Sequence, residues 1–298
     1  DTYVHSPPRT RTVGIGADCA PSVGRTESKE TEMLIVLLLG FTVGVILALT
    51  GAGGGILAVP LLVFGVGLSM AEAGPIGLLA VGLAATLGAV MGLKNGTVRY
   101  KAALLIAGAG IVCSPFGLWL AQRTPNRPLT IVFAFVLMYV AFRVFQRSLP
   151  ASVESKTDVK NKPPPCLLDA SRGKLNWTAP CAWALTVSGI VAGGLSGLLG
   201  VGGGFVMVPA LQRYTDLTAQ SVLATSLAVI ALVSISGVAA SAAAGHLQWA
   251  IAFPFSIGAL VGMISGRLVA AKLSGPHLQR GFAIVSGVVA VALFVKAI

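Results

Sequence analysis

The chain has 298 residues, of which 55% are hydrophobic and only 10% are charged, and its mean hydropathy is +0.86. Soluble domains carry roughly 25% charged residues, so this composition excludes an ordinary soluble domain and predicts an integral membrane protein. The net charge of +11 comes from Lys and Arg in loops between apolar runs. This placement is typical of topology signals beside anionic headgroups, and we expect no nucleic-acid partner.

Residues 1–32 are polar and rich in Pro, Ser and Thr, and they contain no apolar stretch of the kind that a signal peptide needs. Met33 opens the first apolar run directly. We therefore interpret residues 1–32 as a disordered N-terminal tail.

Ten apolar stretches follow Met33, and most have about the 20 residues that a membrane helix needs. The second and the seventh are too short to span. The stretches cover residues 33–50, 56–68, 73–93, 101–121, 129–146, 179–199, 204–211, 217–243, 249–271 and 278–297. A hydrophilic linker with three consecutive prolines, residues 147–176, separates the first five from the last five. The sequence predicts an all-α polytopic membrane protein with membrane repeats at 33–146 and 177–298.

A glycine-rich break occurs twice, at a fixed separation of 149 residues. The first copy, GAGGGILAVPLL, runs from Gly51 to Leu62, and the second, GVGGGFVMVPAL, runs from Gly200 to Leu211. The same separation pairs residues far downstream, among them Gly96 with Gly245, Tyr100 with Trp249, Gly117 with Gly266 and Leu129 with Leu278. A register kept over this distance indicates two homologous repeats of four segments, each with a discontinuous or re-entrant first segment.

Each break predicts a binding site, because clustered glycines end a helix and leave backbone amides free. In lipid such groups must be buried in protein or line a polar cavity. The positive end of the helix after each break then suits a small oxyanion. We expect substrate contacts at Thr50, Gly51, Gly53, Gly54, Gly55, Ser196, Gly200, Gly202, Gly203 and Gly204, with Pro60 and Pro209 as structural breaks. The alternative is that the glycines only allow close helix packing.

The positions of Lys and Arg favour inverted repeats. If each broken segment turns back, the loop around Lys94 and Arg99, the linker, and Arg213 all lie on one side. The other side then holds only Arg123, Arg127 and Lys296, apart from the tail. The positive-inside rule therefore favours an inverted arrangement with a cytoplasmic linker.

The two segments Gly51–Pro60 and Gly200–Pro209 resemble the GxGGGxxxxP hallmark of the TauE/SafE sulfite exporter family, also called the toluene sulfonate uptake permease family. Further resemblance lies in Ala224–Ser226, in Gly245–Trp249 and in the run of Gly262, Gly266 and Arg267. The likeness covers residues 33–298. It implies a duplicated transporter in the inner membrane that moves a small oxyanion such as sulfite or an organosulfonate, commonly outward.

The resemblance also implies substrate contacts at Thr225 and Ser226. The separation of 149 places Ile76 and Gly77 at the corresponding positions of the first repeat. If the hydroxyl pair contacts substrate, the two half-sites are not equivalent.

Other polar residues each carry a structural alternative. The hydroxyls of Thr50 and Ser196 lie near the breaks, but helical Ser and Thr commonly bond to their own backbone. The same holds for Thr86, Ser234 and Ser236. Glu72 could couple proton movement, although its position favours a residue that starts a helix.

Two further functions are consistent with the sequence. A passive anion channel fits a core that contains no obvious proton or sodium relay. Gly194–Gly197 matches the GxSG motif of rhomboid-like serine proteases, with Ser196 as nucleophile and His246 or His277 as base, but proteolysis does not require a duplicated break. The cysteines show no metal or redox spacing, and we expect no metal and no cofactor. The preferred interpretation is a non-enzymatic transporter that works by alternating access, with coupling ion and oligomeric state left open.

Overall fold

The computed structural model describes residues 23–51, 53–148, 166, 168–169, 174–175, 178–245, 247–270 and 276–297. These residues form helices and one short antiparallel strand pair, β1 (Leu168–Asp169) and β2 (Lys174–Leu175). The helices are α1 (Val23–Thr50), α2 (Gly53–Gly65), α3 (Met70–Lys94), α4 (Tyr100–Arg123), α5 (Asn126–Ser148), α6 (Ala179–Leu199), α7 (Gly204–Tyr214), α8 (Ala219–Ala243), α9 (Trp249–Ala270) and α10 (Pro276–Ala297). The predicted all-helical class is confirmed, and the strand pair lies within the linker.

Within the described residues, seven helices are long and apolar enough to cross a membrane, namely α1, α3, α4, α5, α6, α8 and α9. In contrast, α2 has 13 residues and α7 has 11. These lengths correspond to roughly 20 and 17 Å of helix, less than the ~30 Å hydrocarbon core. The chain is therefore a multi-pass membrane protein in which α2 and α7 are too short to span.

The first helix begins before the boundary that we expected at Met33. It starts at Val23, so the polar segment 23–32 is helical and not part of a disordered tail. Glu and Lys in this segment are good helix formers, so helix can continue beyond the apolar stretch. Residues 1–22 and most of the linker lie outside the described residues.

The start of α3 is fixed by a capping box. The Ser69 hydroxyl accepts a hydrogen bond from the Glu72 amide at 3.4 Å, and the Glu72 carboxylate accepts one from the Ser69 amide at 3.1 Å. Gln248, which precedes α9, donates to the same carboxylate at 3.1 Å. Glu72 is thus a helix-start residue, and α3 and α9 begin on the same side of the bundle.

Helices α1 and α9 pack through glycines with their backbones in contact. A methyl group at Gly40 or Gly44 would overlap the carbonyl oxygen of Phe255 or Ala259, respectively. Gly262 faces Phe41 in the same manner. Residue numbers rise together along the contact, so the two helices run parallel.

Helices α4 and α6 form a second parallel pair of the same kind. Gly189, Gly193 and Gly197 of α6 face the backbone of Ile106, Gly110 and Ser114 of α4. Such glycine-lined contacts let membrane helices approach closely, which increases van der Waals packing where no hydrophobic effect can help.

The two central helices, α3 and α8, run in opposite directions. A methyl group at Gly88 would lie 2.8 Å from the Leu227 side chain, whereas Gly237, later in α8, faces Leu78, earlier in α3. At the end of this contact, the Arg99 amide donates to the Thr225 hydroxyl at 3.1 Å. The end of α3 therefore lies beside the start of α8.

Each short helix runs back along the helix before it. A methyl group at Gly54 would lie 2.5 Å from the Cβ of Leu47 near the end of α1, and Gly65, at the end of α2, faces Leu39, farther back in α1. At the second break, Gly203 faces the carbonyl of Ala192 in α6. The chain therefore turns back on itself after α1, and the start of α3 returns to the side on which α1 begins.

A disulfide joins Cys166 of the linker to Cys181 in the first turn of α6, with the two Cα atoms 5.1 Å apart. The Cys166 amide also donates to the Tyr214 carbonyl at the end of α7, at 3.2 Å. The linker is thus attached to both arms of the α6–α7 hairpin. The cysteine spacing had indicated no such pairing.

The glycine contacts lead to a test with two neighbouring residues of α6. A methyl group at Gly193 would overlap the backbone of Gly110, whereas one at Gly194 would meet no atom within 4 Å. Gly193→Ala should force α4 and α6 apart and lower the midpoint of thermal unfolding by roughly 5 °C, since overpacking typically costs 1–3 kcal/mol. Gly194→Ala should leave the midpoint unchanged. Equal midpoints for the two purified variants in detergent would contradict the packing.

Candidate functional site

The two glycine-rich segments separate consecutive helices. Helix α1 ends at Thr50 and α2 begins at Gly53, with Gly51 between them at φ +72°. Helix α6 ends at Leu199 and α7 begins at Gly204. Between them, Gly200, Gly202 and Gly203 have φ values of +68°, +76° and +63°. L-residues with side chains rarely adopt this left-handed backbone, so glycine is required for the tight turn.

The two breaks meet near the centre of the helical bundle. A methyl group at Gly55, in the first turn of α2, would overlap the Val201 carbonyl oxygen and lie 3.4 Å from Val81. A methyl group at Gly202 would lie 3.5 Å from Val81 and 3.0 Å from Ile230. Val81 and Ile230 lie next to the midpoints of α3 and α8, each 25 residues long. The starts of α2 and α7 are therefore brought together well inside the bundle.

The start of α7 has no side-chain cap. Its N-cap residue is Gly203, and no side-chain hydrogen bond is made there among the described residues. The starts of α6 and α8, in contrast, are capped by the hydroxyls of Thr178 and Thr218. The Val206 and Met207 amides donate to the Gly203 carbonyl at 3.1 and 3.4 Å. The earlier amides, those of Gly204 and Phe205, precede these first bonds and carry the positive end of the helix dipole. This buried, uncapped helix start can accept a negatively charged oxygen.

Buried polar side chains in the described part of the chain are all serines and threonines. They are Ser114, Ser188, Ser196, Thr215, Ser221, Thr225, Ser226, Ser234, Ser241, Ser256 and Ser286. No group of three or more His, Cys, Asp or Glu residues suited to a metal occurs within the described ranges. A ligand at the breaks would therefore meet backbone dipoles and hydroxyls, and no fully buried charge among these residues.

Three of the predicted hydroxyls are hydrogen-bonded to backbone. Thr50 donates to the Ile46 carbonyl at 2.7 Å, one helical turn back. Ser226 donates to the Leu223 carbonyl at 2.8 Å and lies 3.4 Å from the Gly51 carbonyl oxygen. Thr225 accepts the Arg99 amide bond described above. These hydroxyls hold the first break and the end of α3 in place, toward one end of α8.

Two other hydroxyls have no hydrogen-bond partner among the described residues and lie near the second break. Ser196 and Ser234 are 0% and 2% exposed, respectively. In contrast, Thr86 donates to Gly82 at 2.8 Å and Ser236 to Val233 at 3.0 Å. The sequence analysis treated Ser234 as no better a substrate contact than Thr86 or Ser236. The repeat register could have singled out Ser234, because the corresponding residue of the first half is the apolar Ala85.

The prolines do not end their helices as predicted. Pro60 lies inside α2 and Pro209 inside α7, and both helices continue past them. A proline removes one intrahelical hydrogen bond, but packing on both sides can keep the helix intact. The glycines are therefore the residues that interrupt the helices.

A small cavity reaches the second break from the side on which α3 begins. Its volume is about 10 Å³, which is room for about one water molecule. Its lining includes Met70, Gly74, Gly197, Gly200 and Ser241. The backbones of Gly200 and Gly74 are in contact at its inner end.

The serine protease alternative has no support in the described residues. The Ser196 hydroxyl is fully buried and has no partner there. His246 and the side chain of His277 lie outside the described residues.

Comparison with known proteins places the chain among membrane transporters. It is 26% identical to a "Probable membrane transporter protein" of Xylella fastidiosa (strain Temecula1 / ATCC 700964) over 89% of this chain and 95% of that protein. It is 24% identical to "Probable membrane transporter protein YunE" of Bacillus subtilis (strain 168), over 81% and 90% of the two chains. No solved structure matches the chain significantly. The family model "Sulfite exporter TauE/SafE" matches residues 36–293, and the chain therefore belongs to this family of membrane transporters.

Proposed function

We propose that this chain carries a small oxyanion, such as sulfite or an organosulfonate, across the membrane by alternating access. The anion binds where the starts of α2 and α7 meet. The observation that carries the proposal is the position of the uncapped α7 start, which lies beside the first turn of α2 at the level of Val81 and Ile230. The description of the family as sulfite exporters supports the substrate class and outward movement.

The charge distribution favours an anion that is bound weakly enough to leave. Because the fully buried polar groups described are hydroxyls, the ligand is held by amides and dipoles and not by a buried cation. A fixed lysine or arginine would bind an anion more tightly and slow its release.

Contacts across the bundle support an inverted duplication. Gly40 contacts Phe255, and the residues that correspond to them in the other half, Gly189 and Ile106, also contact each other. Likewise, Gly88 contacts Leu227, and the corresponding residues, Gly237 and Leu78, contact each other. The corresponding helices α3 and α8 run in opposite directions, as a two-fold axis parallel to the membrane plane would require.

The same contacts suggest which bodies move. Helices α1 and α9 are held together by backbone-to-backbone glycine contacts, as are α4 and α6. Each pair joins one helix from each half of the chain. We therefore assign alternating access to two mixed groups, α1–α2–α9 and α4–α6–α7, which move against each other around α3 and α8. This differs from the simpler expectation that one repeat rocks against the other.

The first test measures radiolabelled sulfite uptake into proteoliposomes across an imposed pH gradient. Unlabelled sulfonates and carboxylates serve as competitors. Uptake should saturate, because an alternating-access carrier binds one substrate per cycle, and a response to the gradient would indicate proton coupling. A conductance that rises linearly with sulfite would instead indicate the passive channel, and no flux of any oxyanion would reject the proposal.

A pair of glycine variants tests the contact between the breaks. Gly55→Ala places a methyl group against the Val201 carbonyl, whereas in Gly77→Ala the nearest atom is 3.4 Å away. We expect Gly55→Ala to lower uptake about tenfold, equivalent to ~1.4 kcal/mol, with normal membrane insertion. Gly77→Ala should keep its activity. Full activity of Gly55→Ala would contradict a site between the two breaks.

Single cysteines in a background without native cysteines test the inverted arrangement. Asn95, Asp216, Asn126 and Ala244 are all exposed loop or helix-end positions. Asn95→Cys and Asp216→Cys should be protected from an impermeant maleimide applied outside intact cells, because the Lys- and Arg-rich side is cytoplasmic. Asn126→Cys and Ala244→Cys should react. Opposite labelling of Asn95→Cys and Asp216→Cys would indicate parallel repeats.

A further inference from the structure

Three of the buried hydroxyls without described partners lie on the helices that pack around the second break. Ser114 of α4, Ser196 of α6 and Ser234 of α8 are each at most 2% exposed and have no hydrogen-bond partner among the described residues. A buried hydroxyl without a partner typically costs 1–3 kcal/mol. A ligand that accepts a hydrogen bond would remove this cost.

Ser234 lies against the second break. Its Oγ is 3.8 Å from the position of a methyl group on Gly202 and 3.1 Å from that of one on Gly82. Gly202 immediately precedes the N-cap residue of α7. The hydroxyl therefore lies between the centre of α3 and the uncapped helix start.

The register places Ser196 beside the same helix start. In the first half, Gly54 packs against Val43 and Leu47 of α1. The residues 149 positions later are Gly203, Ala192 and Ser196, respectively. The contact of Gly203 with Ala192 is observed. Ser196 thus occupies the position that Leu47 holds at the first break.

The corresponding positions of the first half are apolar. The separation of 149 pairs Ser196 with Leu47, Ser234 with Ala85 and Ser114 with Met263. Leu47, Ala85 and Met263 are all fully buried. The α7 side of the meeting point therefore offers hydroxyl donors where the α2 side offers hydrocarbon.

We propose that the oxyanion is bound from one side, by the amides at the start of α7 together with the hydroxyls of Ser196 and Ser234, while the α2 side contributes apolar contact. This assignment rests on the proposed oxyanion transport and names the residues that set its affinity. Thr225 and Ser226, whose hydroxyls bond to backbone, then serve to position the first break.

The test compares serines that share burial and lack of a partner but differ in location. Ser256 in α9 and Ser286 in α10 are buried and without described partners, as are Ser196 and Ser234. We would measure sulfite uptake kinetics and the midpoint of thermal unfolding, with and without sulfite, for Ser→Ala variants at all four positions. Wild-type protein is assayed in parallel.

Ser196→Ala and Ser234→Ala should each raise the KM for sulfite about tenfold or more, equivalent to ~1.4 kcal/mol, and reduce the stabilisation by sulfite. Without sulfite, their midpoints should equal or exceed that of the wild type, because an unpaired hydroxyl has been removed. Ser256→Ala and Ser286→Ala should likewise have midpoints without sulfite that equal or exceed that of the wild type. Their KM for sulfite should not change.

Each other result overturns the inference in a distinguishable way. If wild-type protein transports sulfite and all four variants keep its KM, the one-sided site is wrong while the transport function stands. If the KM rises equally in all four variants, the effect is not specific to the α7 start and the assignment also fails. If wild-type protein moves no oxyanion, the proposed function and this inference fall together.

Discussion

A polypeptide backbone inside a membrane must satisfy its own polar groups, and this constraint explains the arrangement at the two breaks. Helices α2 and α7 begin deep within the bundle, at the level of Val81 in α3 and Ile230 in α8. The surrounding helices α3 and α8 are continuous for 25 residues each and enclose these starts. The fold thus places two positive helix ends in a protein interior. Such an arrangement is stable only if something negative or hydrogen-bonding can occupy the space.

Close glycine packing determines how this arrangement can move. The contacts of α1 with α9 and of α4 with α6 have backbone against backbone, so neither pair can slide without loss of many van der Waals contacts. Each half of the chain is therefore incomplete without the other, because its first helix packs on the fourth helix of the opposite half. The sequence left open whether the glycines of the breaks form a binding site or only allow close helix packing, and they take part in close packing. Gly54 and Gly203 allow the hairpins to close, and that closure brings the helix starts together.

The sequence predicted the helical class and the family, since these follow from hydropathy and from motif residues at fixed positions. It did not distinguish Ser234 from Thr86 and Ser236, because whether a helical hydroxyl bonds to its own backbone depends on neighbours that only the fold supplies. The helical segment 23–32 was missed because hydropathy marks where a helix is apolar and not where it ends. The pairing of Cys166 with Cys181 was also invisible, since it depends on the return of the linker to α6.

The two breaks are related by register but differ in the residues that cover them. Gly51 is covered by the Leu223 side chain, whereas the corresponding contact of Gly200 is with Gly74, which has no side chain. A cavity occupies the space beside Gly200 and Gly74. One residue difference between equivalent positions therefore gives the two breaks different covers, a leucine side chain at the first and a glycine backbone at the second. The hydroxyls of Ser196 and Ser234, which have no partner among the described residues, belong to this same second break, so the break that is covered by backbone is also the more polar one.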